Sequence, residues 1–231
     1  IIVYIHGFNV TFHGALLRTA QLTYDFEYPG VPLLFSWPSD GQLSEYVSDR
    51  EDATWSIHYL AQLLTQLKQQ NPQRSIHLIA HSMGNQVLVG ALQRLHLLGS
   101  DDEPWFDTIV MAAPDYDAHL FNYQMAEQTV GLARHWAVYV SENDAALQAS
   151  YKVNGTPRLG MPVHSANRVQ IVDVSKLDVN LWSVPETHSY YATQQPVVED
   201  IAALIQGTPP ERRQLHQIRD KGSVYWQLIS E

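Results

Sequence analysis

The chain has 231 residues, 45% of them hydrophobic, and a formal net charge of −10 with lysine and arginine scattered rather than clustered. That balance supports one sizeable core, excludes disorder, and opposes binding to a phosphate backbone or an acidic membrane surface, so nucleic acid is not an expected partner. Cysteine is absent, which excludes disulfides and thiol catalysis, and no apolar run reaches the roughly 20 residues that a bilayer span requires.

The first element is the apolar run IIVYIHGF (1–8). A chain that opens inside a strand leaves any start codon or targeting segment upstream, so cytoplasm and periplasm both stay open as compartments. Five similar runs follow: VPLLFSW (31–37), SIHLIAH (75–81), DTIVMAA (107–113), HWAVYVS (135–141) and RVQIVDV (168–174). They are continuous rather than alternating, the pattern of strands covered on both faces. Between them, Leu60, Leu63, Leu64 and Leu67 in 53–70, and Val87, Leu88, Ala91, Leu92 and Leu95 in 84–98, recur at helical spacing. About six strands alternating with helices predict a single α/β domain over 1–231, its mainly parallel sheet flanked by helices on both faces.

Segment 142–167 carries Gly155, Pro157, Gly160 and Pro162 and reads as a rim or lid between two strands. The run VVEDIAALIQG (197–207) predicts a last helix stopped by Gly207, and 208–231 a polar tail pinned by Tyr225 and Trp226.

The stretch LIAHSMGNQV (78–87) places Ser82 between a strand and a helix, with Ala80 two positions before it and Gly84 two after. A tight strand-to-helix turn lifts such a serine above the sheet and requires small neighbours where backbones approach. Serine also caps helices, but capping does not account for small residues on both sides. A serine hydroxyl needs a general base, an orienting acid and oxyanion donors. His188 in VPETHSYY follows the last strand and is the preferred base over His216; His164, His119, His135 and His81 read as packing or surface residues. Asp144, in SENDAAL after the fifth strand, is preferred as the acid over Asp115, which would line the pocket or cap a helix over 116–132; Asp173 and Asp178 are weaker candidates. The amides of Met83 and Phe8 are the expected oxyanion donors. Phe12, Trp37, Pro38 and Tyr46 are candidate walls of an acyl pocket. No HExxH motif occurs, so neither metal nor cofactor is expected.

Taken together, HGFN, FSWPSDG, AHSMGNQV, AAPD, YVSENDAAL, RLG and THSYY resemble the alpha/beta-hydrolase superfamily, and within it a bacterial family designated domain of unknown function nine hundred. The resemblance spans nearly the whole chain and implies Ser82 as nucleophile, Asp144 as acid and His188 as base. Members of the superfamily usually place two further strands before the HG strand, so an uncovered edge or upstream residues are expected here. The resemblance supplies no substrate; the activity expected from the residues is hydrolysis of a small-molecule ester or related acyl compound through an acyl-enzyme, with acyl transfer by the same triad, and a non-catalytic binding role, as the alternatives.

Overall fold

The computed structural model describes residues 1–99, 103–162, 169–177, 187–220 and 222–229. Its strands are β1 (Ile2–Ile5), β2 (Pro32–Phe35), β3 (His77–His81), β4 (Phe106–Ala112), β5 (Ala133–Val140), β6 (Gln170–Asp173), β7 (Leu215–Asp220) and β8 (Ser223–Leu228). They form one sheet in the order β2-β1-β3-β4-β5-β6-β8-β7, parallel throughout except for the terminal β7–β8 hairpin. Inner strands β1 and β3 are buried at every position, which explains why their sequences run apolar without alternation.

The main helices are α1 (Phe12–Asp25), α2 (Tyr46–Gln70) and α3 (Gly84–Leu97). A broken helical stretch follows β4, comprising α4 (Ala118–Leu120), a π turn (Phe121–Met125) and α5 (Ala126–Thr129). Beyond β5 come α6 (Ala145–Asn154), the short α7 (Tyr190–Thr193) and α8 (Gln195–Ile205). One core joins α2 and α3 to the sheet through Leu60, Leu64, Val87, Leu88, Leu92 and Leu95. The other seats α1, α7 and α8 on the opposite face through Leu22, Tyr191, Val197 and Ile201. Each such side chain contributes about 1.5–3 kcal/mol by leaving water. Among the described residues, no helix is long and apolar enough to cross a membrane.

From β1 the chain moves outward to β2, then returns past β1 to β3 and continues the other way. The connections after β1 and β3 therefore lead to helices on opposite faces and leave a crevice at the carboxyl ends of those strands, where ligands collect in sheets of this kind.

Three sequence expectations change. The sheet has eight strands rather than about six, because segment 208–231 is no polar tail: 215–228 fold into a hairpin whose Trp226 and Gln227 pair with Val172 and Asp173 of β6. Mixed polar and apolar residues in β7 hid it, since an edge strand is half solvated. The excursion at 142–162 contains a regular helix, α6, ended by Gly155 in the left-handed region at φ +71°. Helix 116–132 begins later than expected, at Ala118, and its cap is Asp117, not Asp115: Asp117 Oδ1 accepts the amides of His119 and Leu120 at 2.8 and 3.0 Å.

Candidate active site

Ser82 joins β3 to α3 with φ +53°, a left-handed conformation that costs a non-glycine residue of order 1–3 kcal/mol. The strain is held by surrounding bonds. The Ser82 amide donates to Ala112 O at 3.0 Å, and its carbonyl accepts from the Asn85 side chain at 3.0 Å and the Asp115 amide at 3.2 Å. Close approach explains the small neighbours: a Cβ on Gly84 would lie 2.4 Å from His6 O, and one on Gly7 would lie 2.8 Å from Ser82 Cβ. Ala80, between Ile5 and Met111 in the sheet, is fully buried.

The HG turn is fixed from behind. The His6 ring is buried, stacks on Trp37 with centroids 5.0 Å apart, donates from Nδ1 to Gly7 O at 2.9 Å and accepts the Trp37 amide at Nε2 at 3.1 Å. Burial lowers its pKa, against the opposing effect of the Gly7 and Trp37 carbonyls. Neither the Phe8 nor the Met83 amide donates to a protein acceptor among the described residues, so both N–H groups remain free beside Ser82.

Asp144 is fully buried at the N-cap of α6, where Oδ1 accepts the Leu147 amide at 3.0 Å. Its other contact is His188: Nδ1 lies 2.8 Å from Oδ2 and 3.0 Å from Oδ1. Burial alone would lower the imidazole pKa, but the Asp144 charge and hydrogen bond outweigh it and the net shift is upward. Ser82 and His188 line the same cavity of about 560 Å³. No hydrogen bond joins Ser82 Oγ to the imidazole among the described contacts, and in unliganded sites such bonds tighten only with substrate.

The cavity separates the other candidates. Tyr46 and Asp115 line it, with the Tyr46 hydroxyl donating to Asp115 Oδ2 at 2.7 Å. Asp115 is also held by Arg158 Nε at 2.7 Å and Ser150 Oγ at 2.5 Å, and is thus committed away from His188. Two expected walls are not walls. Trp37 is 2% exposed beneath the HG turn, its indole N–H bonded to His6 O at 2.7 Å, and Phe12 is 64% exposed on the outside of α1. Position in the sequence does not by itself fix the direction of a side chain. Asp173 ends β6 by accepting the Ser175 amide at 2.9 Å, and His216 sits on the edge strand β7. His164 and Asp178 lie outside the described residues.

Two contributions were not read from the sequence as parts of the site. Ala145, Ala146, Ala149 and Val153 of α6 form an apolar wall, with Phe8 and Val10 among the other apolar lining residues; the four-residue steps from 145 to 153 were the available signal. His81 donates from Nε2 to the His188 carbonyl at 3.1 Å, and its ring packs between His188 and Tyr191 at 4.6 and 4.4 Å. Packing was expected of it; the contact with His188 spans 107 residues and has no local signature. As for metals, Asp40, Asp49 and Asp52 bring ligand atoms within 4.8 Å of one another, but Asp49 already accepts from Ser39 Oγ and the Asp40 amide, and none of the three lines the Ser82 cavity.

A family model described as alpha/beta hydrolase of unknown function (DUF900) matches residues 1–207. The chain belongs to this family. An uncharacterized protein of Nostoc sp. is 32% identical over 120 residues, which is 41% of this chain and 31% of that protein, so the match spans under a third of the relative. Among solved structures, the phospholipase PlaB from Legionella pneumophila is 11% identical at TM-score 0.49, covering 100% of this chain and 67% of its own. An alpha-beta serine hydrolase homologue from Coxiella burnetii is 14% identical at TM-score 0.41, covering 89% and 83%. A Trichoderma reesei cutinase is 13% identical at TM-score 0.39, covering 90% and 74%. The alpha/beta-hydrolase fold is carried by the family match and by the sheet itself.

Proposed function

We propose that this alpha/beta hydrolase is a metal-independent serine esterase acting on esters with an apolar acyl group. One observation carries the reading: a serine held at φ +53° shares a cavity with a histidine whose Nδ1 lies 2.8 Å from a fully buried aspartate. Ser82 Oγ attacks the ester carbonyl while His188 Nε2 takes its proton, and Asp144 stabilises the resulting imidazolium through Nδ1–H. The oxyanion receives the Phe8 and Met83 amides, each such donor contributing about 10²–10³-fold in rate. His188 then protonates the leaving alkoxide, and water releases the acyl group by the reverse sequence. The alanine face of α6 supports an acyl chain over a polar group as the occupant of the cavity.

Acyl transfer uses the same groups and differs in excluding water, and a non-catalytic role would leave Ser82 inert. A fluorophosphonate probe on the intact chain separates enzyme from binding protein. Labelling that disappears in Ser82→Ala is the expected result, and a folded wild-type protein that resists the probe overturns the proposal. Release of free acid from p-nitrophenyl butyrate, undiminished when an acceptor alcohol is added, then distinguishes hydrolysis from transfer.

A further inference from the structure

A second cavity, of about 480 Å³, shares Val153 with the first and opens among α2, α3 and the C-terminal end of α6. Two guanidinium groups face it, from Arg50 and Arg158. Arg158 is 5% exposed, so its charge has been taken almost wholly out of water. Nε is used by Asp115 at 2.7 Å and Nη1 by Thr156 Oγ1 at 3.3 Å. Nη2 has no protein acceptor among the described residues, and Arg158 lines the cavity. Arg50 Nη1 donates to Asn154 Oδ1 at 2.7 Å and meets no carboxylate among the described residues.

Two acidic groups stand nearby. Asp115 neutralises Arg158 from the side of the Ser82 cavity, and Asp117 lines the second cavity itself. The Asp117 carboxylate already accepts two α4 amides and the Thr156 hydroxyl, so it turns toward its own helix. The walls thus carry two guanidinium groups against one capped carboxylate, in a chain whose net charge is −10. Planar guanidinium forks match the oxygen spacing of phosphates and carboxylates, and strengthen such hydrogen bonds by charge.

We propose that this cavity is an anion subsite, taking a phosphate or carboxylate group between Arg158 and Arg50. The group belongs either to an ester substrate whose acyl chain occupies the neighbouring cavity or to a separate small anion.

Titration calorimetry of the full chain with phenyl phosphate tests it, with the wild type and Ser82→Ala run in parallel so that binding is scored independently of any hydrolysis. Saturable one-to-one binding is expected in both. Arg50 is exposed, so Arg50→Gln leaves the fold intact, and it should raise Kd about tenfold through loss of one charged donor. Arg94→Gln, at the far end of α3, should leave Kd unchanged. Absence of binding to folded wild type, or an unaltered Kd in Arg50→Gln, overturns the proposal. Activity then assigns the source. Phenyl phosphate that competes with an ω-carboxylate ester but not with a neutral ester identifies a substrate subsite, and an equal effect on both esters identifies a separate anion.

Discussion

Ser82, Asp144 and His188 come from loops after three different strands, and the structure sets Asp144 against His188 and His188 in one cavity with Ser82. Asp144 touches His188 whereas Asp115 is tied to Arg158, Tyr46 and Ser150, so their removal should differ in kind. Asp144→Asn should lower kcat on p-nitrophenyl butyrate by roughly 10³- to 10⁴-fold, and Asp115→Asn should lose stability more than rate. A larger fall in kcat at Asp115 would reverse the assignment. The raised pKa of His188 also has a definite sign. As the proposed base His188 must be unprotonated, so the acid limb of kcat/KM should lie above 6.5; in Asp144→Asn, where burial is opposed only by the smaller effect of the Asp115 charge, it should move down. His81 is buried and its pKa lies well below the ordinary value, so it is a neutral donor to the His188 carbonyl. His81→Phe keeps the ring and loses the donor. Roughly a tenfold lower kcat with unchanged KM is expected, and a changed melting temperature with unchanged kcat would make the contact merely structural.

At the scale of elements, the strand-to-helix turn and α6 do most to shape the cavity. The β1 and β3 loops approach so closely at Gly84 that a methyl group would meet His6 O at 2.4 Å, backbone that cannot rotate away. Gly84→Ala should cost about 1–3 kcal/mol by urea denaturation, and should also depress activity, because the same shift moves the Phe8 amide. Helix α6 carries Asp144, the proposed triad acid, at its N-cap and the apolar wall along its side. Ala149→Phe should therefore shift preference toward short acyl esters. A chain-length profile of kcat/KM checks this, and an unchanged profile would place the acyl group elsewhere.

For the molecule as a whole, several buried histidines set its response to acid. Burial lowers the pKa of His6, His77 and His81, that of His77 to about 4. Below about pH 6.5 the unfolded chain binds protons that these folded sites refuse, so stability should fall with pH from there and go on falling toward pH 4. His188, with its raised pKa, acts in the opposite direction and only partly offsets them. Thermal denaturation between pH 7 and 4.5 should show the decline, with a shallower slope in His77→Leu. The β7–β8 hairpin lies beyond the family match, and Arg213 at its base ties it to α8 through a buried pair with Asp200 at 3.2 Å, which also accepts the Tyr139 hydroxyl at 2.6 Å.

All six sequence-read strands, the two helical stripes and the turn at Ser82 were legible locally, because periodicity and small residues follow from how one segment folds. His188 and Asp144 were reachable too, since chain order in a parallel sheet limits which loops can meet. Edge strand β7, the inward turn of Trp37, the contact of His81 with His188 and the pairing of Arg158 with Asp115 were not. Each depends on which way a side chain faces after distant segments pack, and hydrophobic patterning specifies burial without specifying the partner. The sequence determined the six parallel strands from β1 to β6 and the groups offered at their carboxyl edge; only tertiary packing decided the far edge of the sheet and which of those groups come into contact.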